Sequence, residues 1–232
     1  MIRACIFDVF GTLVDWRTGI AEAAAPVFAR HGIAHDPFDF ADRWRAEYQP
    51  GMEAVRSGGR GYVRLEVLHR ENLDRALIGA GIDLPVMERD GLNEGWTRLP
   101  PWPDVVEGLR AVRAKMLAAP CSNGSIALMA RLARFGGLQW DAITGAEIAR
   151  NYKPMAEVYH ASAAALGFAP GEVMMVATHN DDLAAARAAG LRTGYFPRPL
   201  EYGPARGRDL EPAQDWDIVA EDLPGLAAQL PG

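Results

Sequence analysis

Hydrophobic and polar positions change rhythm along this chain. Ala4-Cys5-Ile6-Phe7 is an unbroken apolar run, the pattern of a strand buried on both faces. That strand, expected over residues 3–8, ends on a carboxylate. From Thr18 to Trp96 the spacing turns helical. Residues 20–30 are rich in alanine and stop at Gly32; residues 39–48 are amphipathic and stop before Pro50-Gly51. Over residues 62–77, Val63, Leu65, Leu68, Leu73 and Leu77 share one helical face. No part of this block alternates as a strand would. Leu99-Pro100-Pro101-Trp102-Pro103 then punctuates the chain.

After the prolines, strands and helices alternate. Helices are expected over 105–115, 127–135, 156–166 and 183–189. Strands are expected over 116–121, 141–144 and 173–177, with shorter candidates at 192–196 and 216–219. Residues 198–214 read as an irregular surface loop. Alternation of this kind predicts an α/β fold, a doubly wound parallel sheet with helices on both faces. The helical block interrupts that Rossmann-like core after its first strand. The expected division is a core of residues 1–15 and 99–232, and an inserted helical cap of residues 16–98.

Composition narrows the class. The chain has 232 residues, 49% of them apolar and 23% charged, with a net charge of -6. Those values suit a globular protein with a large core. The negative balance speaks against a nucleic-acid surface. Cys5 and Cys121 both lie in apolar runs, as buried free thiols do. Met1-Ile2-Arg3 leads straight into a strand the fold needs, so no signal peptide is expected. No apolar stretch approaches the roughly 20 residues of a membrane span. A cytoplasmic protein without membrane or nucleic-acid partners is the expectation.

Polar residues gather where the predicted strands end. Asp8 follows the first strand, with Gly11 and Thr12 close behind it. Ser122 and Asn123 follow the second. Lys153 precedes the helix that starts near Pro154, and Thr178, His179, Asn180, Asp181 and Asp182 follow the strand ending at Ala177. Open α/β sheets bind ligands outside the carboxyl ends of their strands. Asp8 is therefore a candidate nucleophile.

The motifs Asp8-Val9-Phe10-Gly11-Thr12, Ser122-Asn123-Gly124, Lys153-Pro154 and the acidic segment ending at Asp182 resemble those of the haloacid dehalogenase superfamily. Trp44-Arg45 with Tyr48, and Lys153-Pro154 with Tyr159, are similar to segments of its L-2-haloacid dehalogenases. Phosphatases of the superfamily place a second carboxylate two residues after the nucleophile, to protonate a poor leaving alcohol. Here that position is Phe10. They also hold magnesium in an oxygen-rich shell, and the aspartate usual in their last motif is here Thr178. A halide leaves as a stable anion and needs neither proton nor metal.

What the resemblance implies is a cofactor-free and metal-free hydrolase of (S)-2-haloacids or haloacetates. Asp8 displaces halide from C2 with inversion, and water then cleaves the aspartyl ester, releasing a 2-hydroxycarboxylate. Lys153 holds Asp8 ionised, and Thr12 donates to it. Ser122 and backbone N–H groups after Asp8, at Val9 and Phe10, hold the substrate carboxylate. Arg45 and Asn123 receive the halide. Asp182 positions the water, with Asn180 or His179 in support, and Tyr159 orients Lys153 or Asp182. A homodimer is implied by the same resemblance.

Several residues have a second reading. Thr12 and Ser122 can be helix caps, Arg45 a solvated charge, Tyr159 a packing residue, and Asp181 a first-turn charge. Trp16 is an aromatic wall of the site or simply core. His179, where these dehalogenases commonly carry asparagine, can be structural, a halide donor or a titrating base. With Phe10 and Trp16 supplying bulk, it points to short substrates such as haloacetates, fluoroacetate included. Two alternatives remain: a phosphatase that has drifted from the motif, and a catalytically silent binding member.

Overall fold

In the computed structural model, which describes residues 1–204 and 207–231, the sheet has six parallel strands. β1 (Ala4–Phe7) is followed by five helices: α1 (Trp16–His31), α2 (Pro37–Ala46), α3 (Tyr48–Arg56), α4 (Leu65–Ala80) and α5 (Val86–Asn93). A 3-10 turn at Glu94–Thr97 closes this insertion. Then come α6 (Val105–Arg113), β2 (Leu117–Ser122), α7 (Ile126–Gly136), β3 (Thr144–Gly145), α8 (Ala146–Ala149), α9 (Ala156–Ala165), β4 (Val173–Ala177), α10 (Asn180–Ala188), β5 (Arg192–Tyr195), β6 (Ile218–Val219) and α11 (Leu223–Gln229). Strand order is β3-β2-β1-β4-β5-β6. β1 pairs with β2 on one side and β4 on the other. The chain thus leaves β1 in one direction and returns to pair on its other edge, which opens a crevice beside Asp8.

Local chemistry sets the helix ends. The Asp15 carboxylate accepts the Thr18 N–H at 2.9 Å and starts α1, which ends at the left-handed Gly32. Thr12 is therefore not the cap. Ser125, not Ser122, caps α7 by accepting the Leu128 N–H at 3.0 Å. β1 and β4 are buried along their whole length, as continuous apolar strands must be when helices cover both sheet faces.

The insertion departs from the sequence reading in two places. Pro50-Gly51 does not stop a helix; Pro50 lies in the first turn of α3, where its missing N–H costs no bond. A short α5 was not expected from the pattern. The larger correction concerns residues 198–214. They are irregular, and residues 207–214 are mostly exposed as a surface loop is, but the first part of the segment turns inward. Glu201 is 2% exposed. The Arg198 guanidinium is buried too, donating to both Asp104 oxygens at 2.8 and 3.0 Å and to the Thr12 carbonyl at 2.8 Å. No helix among the described residues is long and apolar enough to cross a membrane.

Candidate active site

Asp8 is the centre of a buried ionic cluster. Its Oδ1 accepts from Lys153 Nζ at 2.8 Å. Its Oδ2 accepts from Thr12 Oγ1 at 2.7 Å and from His179 Nδ1 at 3.1 Å. Thr12 is itself fixed by the Thr178 N–H, at 3.1 Å. Lys153 Nζ also pairs with Asp182 Oδ2, and the Tyr159 hydroxyl donates to Asp182 Oδ1 at 2.6 Å. One ammonium thus sits between two carboxylates, both of them buried.

These contacts set the charges. Burial alone would raise the Asp8 carboxyl; the Lys153 charge and the His179 N–H outweigh it and hold Asp8 well below the usual carboxylate range. Burial works against the Lys153 ammonium, but Asp182 and Asp8 raise it above an ordinary lysine. Asp182 lies on the other side of the balance. Burial lifts it, the Asp8 charge adds to the lift, and Lys153 recovers only part. Asp8 is the more acidic member of the pair.

Glu201 was not among the residues expected at the site. His179 Nε2 lies 3.1 and 3.0 Å from its two oxygens, so the imidazole bridges Asp8 and Glu201. Trp16 Nε1 donates to Glu201 Oε1 at 3.0 Å. Burial disfavours a charged His179, yet the two carboxylates prevail and raise it well above an ordinary histidine. Both ring nitrogens then donate. Gly11, at φ +97°, is what admits Glu201, because a Cβ there would collide with the carboxylate.

A cavity of about 830 Å³ opens onto this cluster. Asp8, Phe10, Trp16, Arg45, Tyr48, Asn123, Lys153, His179 and Asp182 line it. Arg45 lies over the rings of Tyr48 and Trp16, 3.9 and 5.2 Å from their centroids; its Nη1 is buried without a hydrogen-bond partner among the described residues. The Asn123 carbonyl accepts the Lys153 N–H at 2.8 Å. The Val9 and Phe10 amides make no hydrogen bond to the described chain. The cavity is therefore lined by an anionic nucleophile and by a guanidinium with an unpaired Nη1, beside a turn whose Val9 and Phe10 amides are unpaired among the described residues.

Not every expected residue joins. Ser122 is buried, accepts the Gly124 N–H at 3.0 Å and does not line the cavity. The Val9 side chain is core. The Asn180 amide turns away from Asp8; it donates to Asp209 Oδ1 at 2.9 Å and accepts from Trp216 Nε1 and the Ala213 N–H. Asp181 accepts the Asp182 N–H from the first turn of α10 and borders the cavity. Cys121 is buried near Lys153, and burial pushes its thiol up to about 12, a structural rather than a reactive thiol.

An aspartate at the carboxyl end of β1, a lysine across the crevice and helices inserted after the first strand define a class of hydrolase. A model of the haloacid dehalogenase-like hydrolases matches residues 2–190, and the chain belongs to that family. The chain is 30% identical over 207 residues to (S)-2-haloacid dehalogenase 1 of Pseudomonas sp. (strain CBS-3), covering 87% of this chain and 88% of that protein. Among solved structures, the defluorinating L-2-haloacid dehalogenase Rha0230 superimposes with a TM-score of 0.96 at 50% identity, over 99% of this chain and 95% of that one. The L-2-haloacid dehalogenase PA0810 gives a TM-score of 0.94 at 42% identity, over 99% and 98%.

Proposed function

We propose that this chain is a hydrolytic dehalogenase that converts (S)-2-haloacids and haloacetates to 2-hydroxy acids and halide. The observation that carries this reading is a fully ionised Asp8 whose neighbour two residues on, Phe10, can give no proton. Such a nucleophile suits a leaving group that departs as an anion. The printed activities of the relatives agree with it. We take residues 1–15 and 99–232 as the catalytic core and 16–98 as a helical cap.

In the first step an Asp8 oxygen attacks C2 in line with the carbon–halogen bond. The Val9 and Phe10 amides hold the substrate carboxylate. Arg45 Nη1 and the Asn123 amide receive the halide, where charge develops in the transition state. C2 inverts, and an ester joins it to Asp8. Esterification removes the Asp8 charge, one of the two that keep His179 protonated. Nδ1 then releases its proton through the cavity to solvent, leaving a neutral ring whose Nε2–H stays on Glu201 and whose Nδ1 is free to act as a base. Backed by Glu201, His179 takes a proton from the water that attacks the ester carbonyl of Asp8. Asp182, with both oxygens engaged, holds Lys153 in place. Tyr159 holds Asp182, and Thr12 orients the nucleophile. Asn180 anchors the segment around residues 209–216, and Ser122 shapes the turn that carries Asn123.

Short substrates fit best, fluoroacetate among them, because Phe10 and Trp16 add bulk to the cavity wall. The 50% identical Rha0230 is described as defluorinating. The resemblance also leads us to a cytoplasmic homodimer, which light scattering checks. The decisive assay is halide release from L-2-chloropropionate, with and without a chelator. Release is expected to be unaffected by chelation, to yield the D-2-hydroxy acid, and to fall at least about 10⁴-fold in Asp8→Asn. Phosphate release from a phosphate ester without halide release would overturn the reading.

A further inference from the structure

The Arg198 side chain is 9% exposed and takes no part in the chemistry described above. Its two terminal nitrogens grip both oxygens of Asp104, and its Nε donates to the Thr12 carbonyl at 2.8 Å. The guanidinium lies over Phe196 and Trp102, 4.6 and 5.7 Å from their ring centroids. Trp102 Nε1 in turn donates to the Gly11 carbonyl at 2.8 Å, and the Trp102 N–H to the Leu13 carbonyl at 3.0 Å. Three successive carbonyls of the turn behind Asp8 are therefore held by Arg198 and Trp102. The Arg198 carbonyl also accepts the Glu201 N–H at 3.1 Å, and so closes the turn that presents Glu201.

Stability alone does not account for this placement. A buried arginine–aspartate pair adds little over an apolar pair of the same volume. Here the third donor of the guanidinium goes to Thr12, whose hydroxyl holds Asp8. The main chain of the same arginine starts the turn of Glu201, whose carboxylate holds His179. Between the two turns lies Gly11, where Glu201 enters the space a side chain would fill. One planar side chain thus fixes both edges of that gap. A guanidinium can do so because its N–H groups point in fixed directions in one plane, which those of an ammonium do not.

We propose that Arg198 is a positioning residue: by joining the Thr12 carbonyl to the turn at residues 198–201 it sets where the Glu201 carboxylate stands, and so holds the His179 ring in the pose that activates water. Arg198 does not line the cavity and acts through these groups alone. Its effect on rate rests on the dehalogenase reading above; its hold on Glu201 and His179 belongs to the resting protein. Asp8 and Glu201 are the charged groups that face the ring, with the neutral Tyr202 beside them. Asp8 is kept in place by Lys153 as well, so the ring reports chiefly on Glu201. A bond to the charged form of the ring favours that form, and a displaced Glu201 lets the ring lose its proton at lower pH.

Two experiments test it, on Arg198→Lys and on the double variant Arg198→Met/Asp104→Asn. The first keeps a cation beside Asp104 without the fixed fork; the second removes both charges of the pair, so neither leaves a buried charge alone. The His179 ring ¹⁵N signals are followed against pH. In the wild type the ring stays doubly protonated above the range of an ordinary histidine. In both variants the midpoint is expected to fall by about one pH unit or more, whatever the melting temperature does. An unchanged midpoint in a folded variant overturns the proposal, since lost stability alone leaves the ring's partners where they are. The second experiment separates the two steps of turnover. Ester hydrolysis is expected to slow about tenfold in Arg198→Lys, the effect of losing one hydrogen bond to a charged group. In a Glu201→Gln background the same change should slow that step no further, because both remove one contact; losses that multiply overturn the proposal. Failure of the wild type to release halide removes the dehalogenase reading instead, and leaves the His179 titration to judge Arg198.

Discussion

The two walls of the cavity are built on opposite plans. On the sheet side the charged atoms satisfy one another: Asp8 takes bonds from Lys153, Thr12 and His179, and Asp182 takes them from Lys153 and Tyr159. On the side of the inserted helices, Arg45 lines the cavity with a buried Nη1 that has no partner among the described residues, and His69 and Trp96, packed on Phe10, keep unpaired ring nitrogens too. Preorganised groups stabilise a reacting atom without moving at the moment of reaction. Unpaired buried donors cost stability until a partner reaches them. On the proposed reading, the nucleophile is held ready in advance, and the leaving group finds its partners only on binding.

The largest blow to this contrast is removal of the ammonium that holds the sheet side together. Lys153→Met leaves two buried carboxylates facing each other, and breaking such a pair costs about 3–5 kcal/mol. Halide release should fall at least about 10³-fold, since an activated nucleophile is lost. The pH dependence of stability should also reverse. In the wild type Asp8 is held below its unfolded value, so its contribution is present above the unfolded pKa and is lost as pH falls through the folded one. In the variant the facing carboxylates share a raised pKa, so stability is gained on acidification and lost as pH rises. Melting curves followed from about pH 5 to pH 3, where the wild type loses the Asp8 contribution, check this; a variant that loses stability on acidification there as the wild type does breaks the picture of a charge-balanced wall.

Next in size is Glu201→Gln, which keeps the shape behind His179 and removes the charge. General-base assistance is worth roughly 10²-fold or more, and the loss should fall on ester hydrolysis rather than on halide release. A burst of halide equal to the enzyme concentration, then slow turnover, is expected, with intact-protein mass showing substrate retained on Asp8. Equal slowing of both steps would place Glu201 in the support of Asp8 alone.

How these residues become visible in a sequence differs between the walls. Residues 173–177 match β4 to the residue, because a continuous apolar run buried on both faces has few alternatives. Asp8, Lys153 and Asp182 were legible because strand ends converge in a parallel sheet. Asn180 looked equally eligible, but it opens α10. Each helical step turns the side chain about 100°, so it faces the 209–216 segment while Asp182 faces Lys153. Glu201 lies in a stretch with no period at all; its burial depends on space left by Gly11 and on donors from Trp16 and His179, far away in sequence. His69 sits among helix-spaced leucines, and nothing in that spacing reveals a stack against Trp96.

The smallest expected effect separates charge from shape on the open wall. Arg45→Lys keeps a cation beside the cavity but loses the planar group that lies over Tyr48 and Trp16 at 3.9 and 5.2 Å. An ammonium neither stacks as a guanidinium does nor offers donors in a fixed fork. If the insertion side acts through a fixed set of donors, kcat/KM for chloroacetate should drop about tenfold, the equivalent of one charge-assisted hydrogen bond, and inhibition by chloride should weaken in step. The melting temperature should stay close to wild type, because Arg45 Nη1 contributes no protein bond to lose. Retained kcat/KM would mean that positive charge alone suffices there, and the contrast between a finished wall and a waiting one would reduce to electrostatics.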